Sequence, residues 1–146
     1  MKDPTATFHK QVQTSRVPVD AELTELLECL WAAGIETQFS CQGSDHRPSS
    51  AHIVFASIDD AMRFMTETMD RSYWYNRLSL QLAEPLHDHA TGQASGPARA
   101  RVDWPVIDRF TGMSVTAALT DVWAGRQSQD HFARKQYEGQ NPSQRG

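Results

Sequence analysis

Lysine is scarce in this chain: Lys2, Lys10 and Lys135 are the only three. Lysine and arginine together number 14 against 18 acidic residues, so the formal net charge is -4. That balance argues against a bulk polycation that coats nucleic acid and leaves room for a local basic patch. Cysteine is scarcer still, with Cys29 and Cys41 alone. Two thiols do not build a disulfide framework, and a reduced, cytoplasmic setting is the expectation. No apolar run approaches the length of a membrane span. Met1-Lys2-Asp3-Pro4 leads into no apolar stretch, so no signal peptide is expected. C-x2-C and H-E-x-x-H spacings are absent, and neither a metal nor a cofactor is expected.

What is present suits one globular domain. The chain has 146 residues, 39% hydrophobic and 22% charged, enough to bury an ordinary core. A single folded unit is expected over 1–125, followed by a polar, Gln-, Ser- and Gly-rich tail over 126–146.

The pattern changes period several times. Phe8 and Val12 predict a short edge strand within Thr5–Thr14, ended by Val17-Pro18-Val19. Asp20 is a good N-cap. Leu23, Leu26, Leu27, Leu30 and Trp31 then share one helical face, up to Gly34. Ile35, Thr37, Phe39 and Cys41 share one parity, as in a strand. Ala51–Ala56 is almost continuously apolar, as in a central strand. Ser57 followed by Asp59 and Asp60 opens a second helix. Its predicted buried stripe is Ile58, Ala61, Met62, Met65 and Met69.

From Tyr75 the period becomes two, with Leu78, Leu80 and Leu82 on one side. After a long unpatterned loop, Glu84–Pro97, alternation resumes at Ala98, Ala100, Val102 and Trp104. Two alternating runs around one loop predict an antiparallel pair with one wet face. Pro105 predicts a helical turn through Phe110. Ser114 predicts a last helix with Val115, Leu119, Val122 and Trp123, stopped by Gly125. The order predicts an α+β fold: a ferredoxin-like, split β-α-β antiparallel sheet, helices on one face, plus an extra strand and a C-terminal helix.

Chemistry concentrates at Thr37–Arg47, between the first helix and the most apolar strand. Gly43 allows a tight turn there. Ser40, Gln42 and Ser44 offer hydrogen bonds, and Arg47 offers contact to an anion. His52 follows on the next strand. Cys41 is a candidate nucleophile if His46 or His52 assists it; packing beside Phe39 is the plainer role for a free thiol. Cys41 and Arg47 have the C-x5-R spacing of phosphate loops. Pro48 and a strand follow, where such a loop needs a helix N-terminus. His87-Asp88-His89 lies on the long loop, where solvated histidines are the simpler reading. On the wet sheet face, Tyr75, Arg77, Arg99 and Arg101 combine an aromatic ring with guanidinium groups. Those are ingredients for stacking and phosphate contact with single-stranded nucleic acid.

Leu30-Trp31, Gly34 and Thr37-x-x-Ser40-Cys41-Gln42-Gly43, with Ile53-Val54-Phe55 and Asp60-Ala61-x-x-Phe64, resemble a segment of small, mostly uncharacterised proteins of actinobacteria and their phages. The resemblance spans Val19 to Met69 and implies one folded unit, with no activity attached. Ser40-Cys41-Gln42-Gly43 is also similar to the Ser-Cys-Ser-Gly segment of the wybutosine-synthesis tRNA methyltransferase family. It departs from that segment at Gln42 and at Ser44.

Three functions follow as expectations. The first is a non-enzymatic accessory or binding protein of phage or actinobacterial type, contacting a ligand or a host or phage protein through Ser40–Arg47. The second is an enzyme centred on Cys41 that acts on RNA or a nucleotide. The third is a single-stranded nucleic-acid binder using Tyr75, Arg77, Arg99 and Arg101.

Overall fold

The computed structural model describes residues 10–44, 49–83, 86–87, 90–95 and 98–126. The fold is α+β. Its strands are β1 (Gln11–Gln13), β2 (Pro18–Asp20), β3 (Thr37–Cys41), β4 (Ser50–Phe55), β5 (Ser79–Ala83), β6 (Leu86–His87), β7 (Ala94–Ser95) and β8 (Arg99–Pro105). Helices α1 (Thr24–Ala32) and α2 (Ile58–Arg71) are joined by α3, helical over residues 115–126. The main sheet is antiparallel with order β3-β4-β8-β5; β1-β2 and β6-β7 are separate two-stranded pairs.

The described residues do not show the ferredoxin-like order. A split β-α-β arrangement needs the strand before α1 inside the main sheet. Here β1 and β2, both before α1, pair with each other as a separate hairpin. Pro18 and Val19 are therefore the return arm of a hairpin. The predicted β5–β8 pair is present, in unbroken register from Ser79↔Asp103 to Ala83↔Arg99. β4 is central, as its apolar run requires.

The three helices cover one sheet face. Ala51, Ile53 and Phe55 of β4 and Ala100, Val102 and Trp104 of β8 point into the core. Phe64 of α2 is the hub: its ring centroid lies 5.3 Å from Phe55, 6.2 Å from Trp104 and 5.8 Å from Trp123. Both buried indoles there are partnered, since an unsatisfied buried donor is costly. The Trp104 indole N–H donates to Thr116 Oγ1 at 2.9 Å, and the Trp123 N–H to Thr68 Oγ1 at 3.1 Å. The α1 face matches its pattern, with Leu23, Leu26, Leu27, Leu30 and Trp31 all buried.

Several local expectations are revised. The buried stripe of α2 is Ala61, Phe64 and Thr68. Ile58, Met62 and Met69 lie on its exposed flank and only Met65 is packed against the core. Ser57 caps α2 as expected, accepting from the Asp60 amide at 3.1 Å. Asp20 does not cap; residues 21–23 form a 3-10 turn before α1. Residues 73–77 are a 3-10 turn too, so β5 begins at Ser79 and not at Tyr75. Pro105 closes β8 and opens no helical turn. Ser114 caps α3, accepting from the Ala117 amide at 3.1 Å, and the helix runs on through Gly125. Part of the expected first strand, residues 84–85, 88–89 and 96–97 of the expected loop, and the tail from 127 lie outside the described residues, as do His46, Arg47 and His89.

Candidate functional site: the open sheet face

Strand β3 carries a bulge between Thr37 and Phe39. One extra residue reverses the side-chain alternation. Thr37 therefore faces the helices, where its hydroxyl accepts from the Trp31 indole at 3.0 Å. Phe39 and Cys41 face the other way. They do share a face, as the sequence predicts, but it is the face that carries no helix among the described residues. Phe39 is 57% exposed and Cys41 half-buried.

Register assembles this face in two rows. Cys41, His52, Asp103 and Ser79 lie opposite one another across β3, β4, β8 and β5. Phe39, Val54, Arg101 and Gln81 form the adjoining row. Arg101 grips Asp103 with two bonds, Nε to Oδ1 at 2.7 Å and Nη2 to Oδ2 at 2.8 Å. Arg99 reaches across towards β3: its guanidinium lies 6.0 Å from the Phe39 ring centre and donates to Gln38 Oε1 at 3.4 Å. Burial lowers the His52 pKa below the ordinary imidazole value, and Arg101 adds to the effect against the opposing pull of Asp103 and Asp20. The shift favours the neutral imidazole.

The Ser40-Cys41-Gln42-Gly43 segment turns mostly inward. The Gln42 amide donates to Asp20 Oδ2 at 2.9 Å, and its side-chain oxygen accepts from the Glu22 amide at 3.1 Å. The second Asp20 oxygen accepts from the Gln11 side chain. Asp20 thus ties the hairpin to the end of β3 instead of capping a helix. Gly43 has φ +75°, and a Cβ there would sit 2.6 Å from Val106 Cγ2 and 2.8 Å from the Ser50 carbonyl. The Ser44 amide donates to Ser49 Oγ at 2.9 Å. Ser40 pairs with Ile53 and so falls on the helix side. Gln42, Gly43 and Ser44, expected to meet a ligand, hold the chain to itself; within this segment Cys41 alone is on the open face.

Tyr75 and Arg77 sit in the 3-10 turn before β5, outside the β5–β8 register that carries Arg99 and Arg101. Arg77 donates to buried Asp108 at 2.5 Å and lies over Phe110 at 5.3 Å. That contact, with bonds from the Thr111 amide and hydroxyl, holds the Asp108 carboxyl below the usual range. Alternation near Tyr75 did not reveal this partner, which lies thirty-one positions away.

Among the described residues, no group of three His, Cys, Asp and Glu side chains could hold a metal ion. No described helix is long and apolar enough to cross a membrane. A groove of about 560 Å³ runs between the 3-10 turn at residues 21–23 and α3, and its charged lining is Glu22, Glu25 and Asp121. Its charge suits no anion, unlike the arginine-bearing sheet face. No protein-family model, curated protein or solved structure matches the chain.

Proposed function

We propose that this chain is a small, non-enzymatic binding protein that takes single-stranded nucleic acid on the open face of its sheet. One observation carries the reading: Phe39 stands exposed on that face with the Arg99 guanidinium over it and Arg101 in the same cross-strand row. Exposed sheet aromatics offer a π-face on which a base stacks, and neighbouring arginines meet phosphate. The accessory role expected from the sequence is kept, and the contact surface moves from the Ser40–Arg47 loop to the sheet. Arg99 retains the part expected of it, with Arg101, tied to Asp103, beside it; Phe39 takes the stacking role, and Arg77 is committed to Asp108.

The test is fluorescence anisotropy of a labelled single-stranded oligonucleotide at two salt concentrations. The expected result is salt-weakened binding, reduced about 5- to 150-fold by Phe39→Ala, the ~1–3 kcal/mol of one stacked base. Arg99→Ala should weaken binding and flatten the salt dependence. No binding, or binding indifferent to both substitutions, refutes the reading.

A second reading rests on the Cys41–His52–Asp103 row. Cys41 and His52 are paired across β3 and β4, and an imidazole that reaches the thiol and takes its proton would make Cys41 a nucleophile towards RNA or a nucleotide. It ranks lower because both Asp103 oxygens accept from Arg101, leaving the third member of the row engaged elsewhere. The discriminating measurement is the pH dependence of Cys41 alkylation in a Cys29→Ala background. Rapid labelling well below pH ~8.5, lost in His52→Gln, favours the thiol centre; labelling that appears only on unfolding excludes it.

A further inference from the structure

Strand β5 lies at the edge of the main sheet. It pairs with β8 on one side and with no strand on the other among the described residues. Natural edges are usually blunted by lysine, proline, a bulge or inward charge. Ser79-Leu80-Gln81-Leu82-Ala83 has none of these, and its register with β8 is unbroken over all five residues.

The edge is also apolar on one side. Leu80 and Leu82 pair with buried Val102 and Ala100 on the helix-covered face, yet they are 39% and 73% exposed. The flank of α2 adds exposed apolar side chains on the same side of the sheet. Ala61, Phe64 and Thr68 face the core, and Arg63 and Glu67 face α1 and α3 through bonds to the Ala33 carbonyl and to Arg126. Ile58, Met62 and Met69 therefore project from the opposite flank, where all three are exposed. Exposed apolar surface of this kind marks an interaction site.

We propose that this edge joins two copies of the chain, β5 pairing antiparallel with β5 of a second copy about a two-fold axis at Gln81. The sequence of the strand selects this occupant. Read about Gln81 it is nearly symmetric, so two-fold pairing sets each Leu80 opposite Leu82 of the other copy. Self-pairing sets every residue near its own copy, and a charge close to the axis would face its like. Ser79–Ala83 brings no charge to it. Both leucine pairs fall on the helix-covered side of the sheet, the side on which α2 presents its exposed methionines, whose flexible side chains fill irregular space. The result is one continuous sheet with both open faces on the same side.

Sedimentation equilibrium of the full chain tests the proposal, alongside Leu82→Lys. Leu82 is exposed in the single copy, so the substitution leaves the fold intact, which circular dichroism verifies. The expected result is a wild-type dimer at micromolar concentration and a Leu82→Lys monomer with an unchanged spectrum. Amide exchange over 79–83 should slow as wild-type concentration rises, and not in the variant. A wild-type monomer up to high-micromolar concentration overturns the proposal and indicates that the edge is covered by another part of the chain or reserved for a different partner. A Leu82→Lys dimer, or concentration-dependent protection confined to another segment, also overturns it.

Discussion

Replacing Gly43 with alanine tests whether the Ser-Cys-Gln-Gly segment is a structural stitch. Two costs add there. A non-glycine residue at φ +75° pays about 1–2 kcal/mol for the left-handed backbone. The new Cβ also meets Val106 Cγ2 at 2.6 Å, the Ser50 carbonyl oxygen at 2.8 Å and Ser49 Oγ at 3.0 Å. Overpacking of this kind costs about 1–3 kcal/mol. Gly112 is the internal control, with φ +71° and nothing within 4 Å of its ideal Cβ. Gly112→Ala pays the backbone cost alone. Both variants gain the same small benefit from a stiffer unfolded chain, so it cancels in the comparison. Gly43→Ala should therefore be less stable than Gly112→Ala by about 1–3 kcal/mol in urea denaturation, with an unchanged m-value. In thermal melts that is about 2–12 °C at ~2–4 °C per kcal/mol. Val106 can rotate away, but the Ser50 carbonyl belongs to β4 and cannot. Val106→Ala should accordingly restore only part of the loss. Equal midpoints for the two glycine variants would refute the reasoning, because they would mean that the turn yields freely and the segment is not pinned to β4.

Two further outcomes follow from the core and from the open face. Phe64→Ala removes the ring that touches Phe55, Trp104 and Trp123 and should cost about 3–5 kcal/mol, read as a lower urea midpoint; a loss below ~1 kcal/mol would mean that the aromatic cluster closes around the gap. His52 has a lowered folded pKa, so the unfolded chain binds more protons between that value and the unfolded imidazole value of about 6.5. Stability should therefore fall as pH drops below about 6.5, and His52→Gln should flatten this part of the profile; an identical profile in the variant counts against a desolvated imidazole.

The helix over Leu23–Trp31, the central strand at Ala51–Phe55 and the β5–β8 alternation were legible in the sequence. Each is a local period, and burial on one side of a short element imposes it directly. The Ser57 and Ser114 caps were legible for the same reason, since the capped amide lies three residues away. The site was legible only as a neighbourhood. Cys41 and His52 were marked, but their row with Asp103 depends on pairing between β4 and β8, about fifty residues apart. The bulge after Thr37 reversed Phe39, because local alternation does not record an extra residue that only the partner strand reveals. Arg77 went to Asp108 because a buried carboxylate needs a cation more than an open face needs another arginine. Alternation and capping were thus decided residue by residue along the chain. Which residues share the open face, and which edge is left unpaired, was decided by register between distant strands, a property that no stretch of sequence carries by itself.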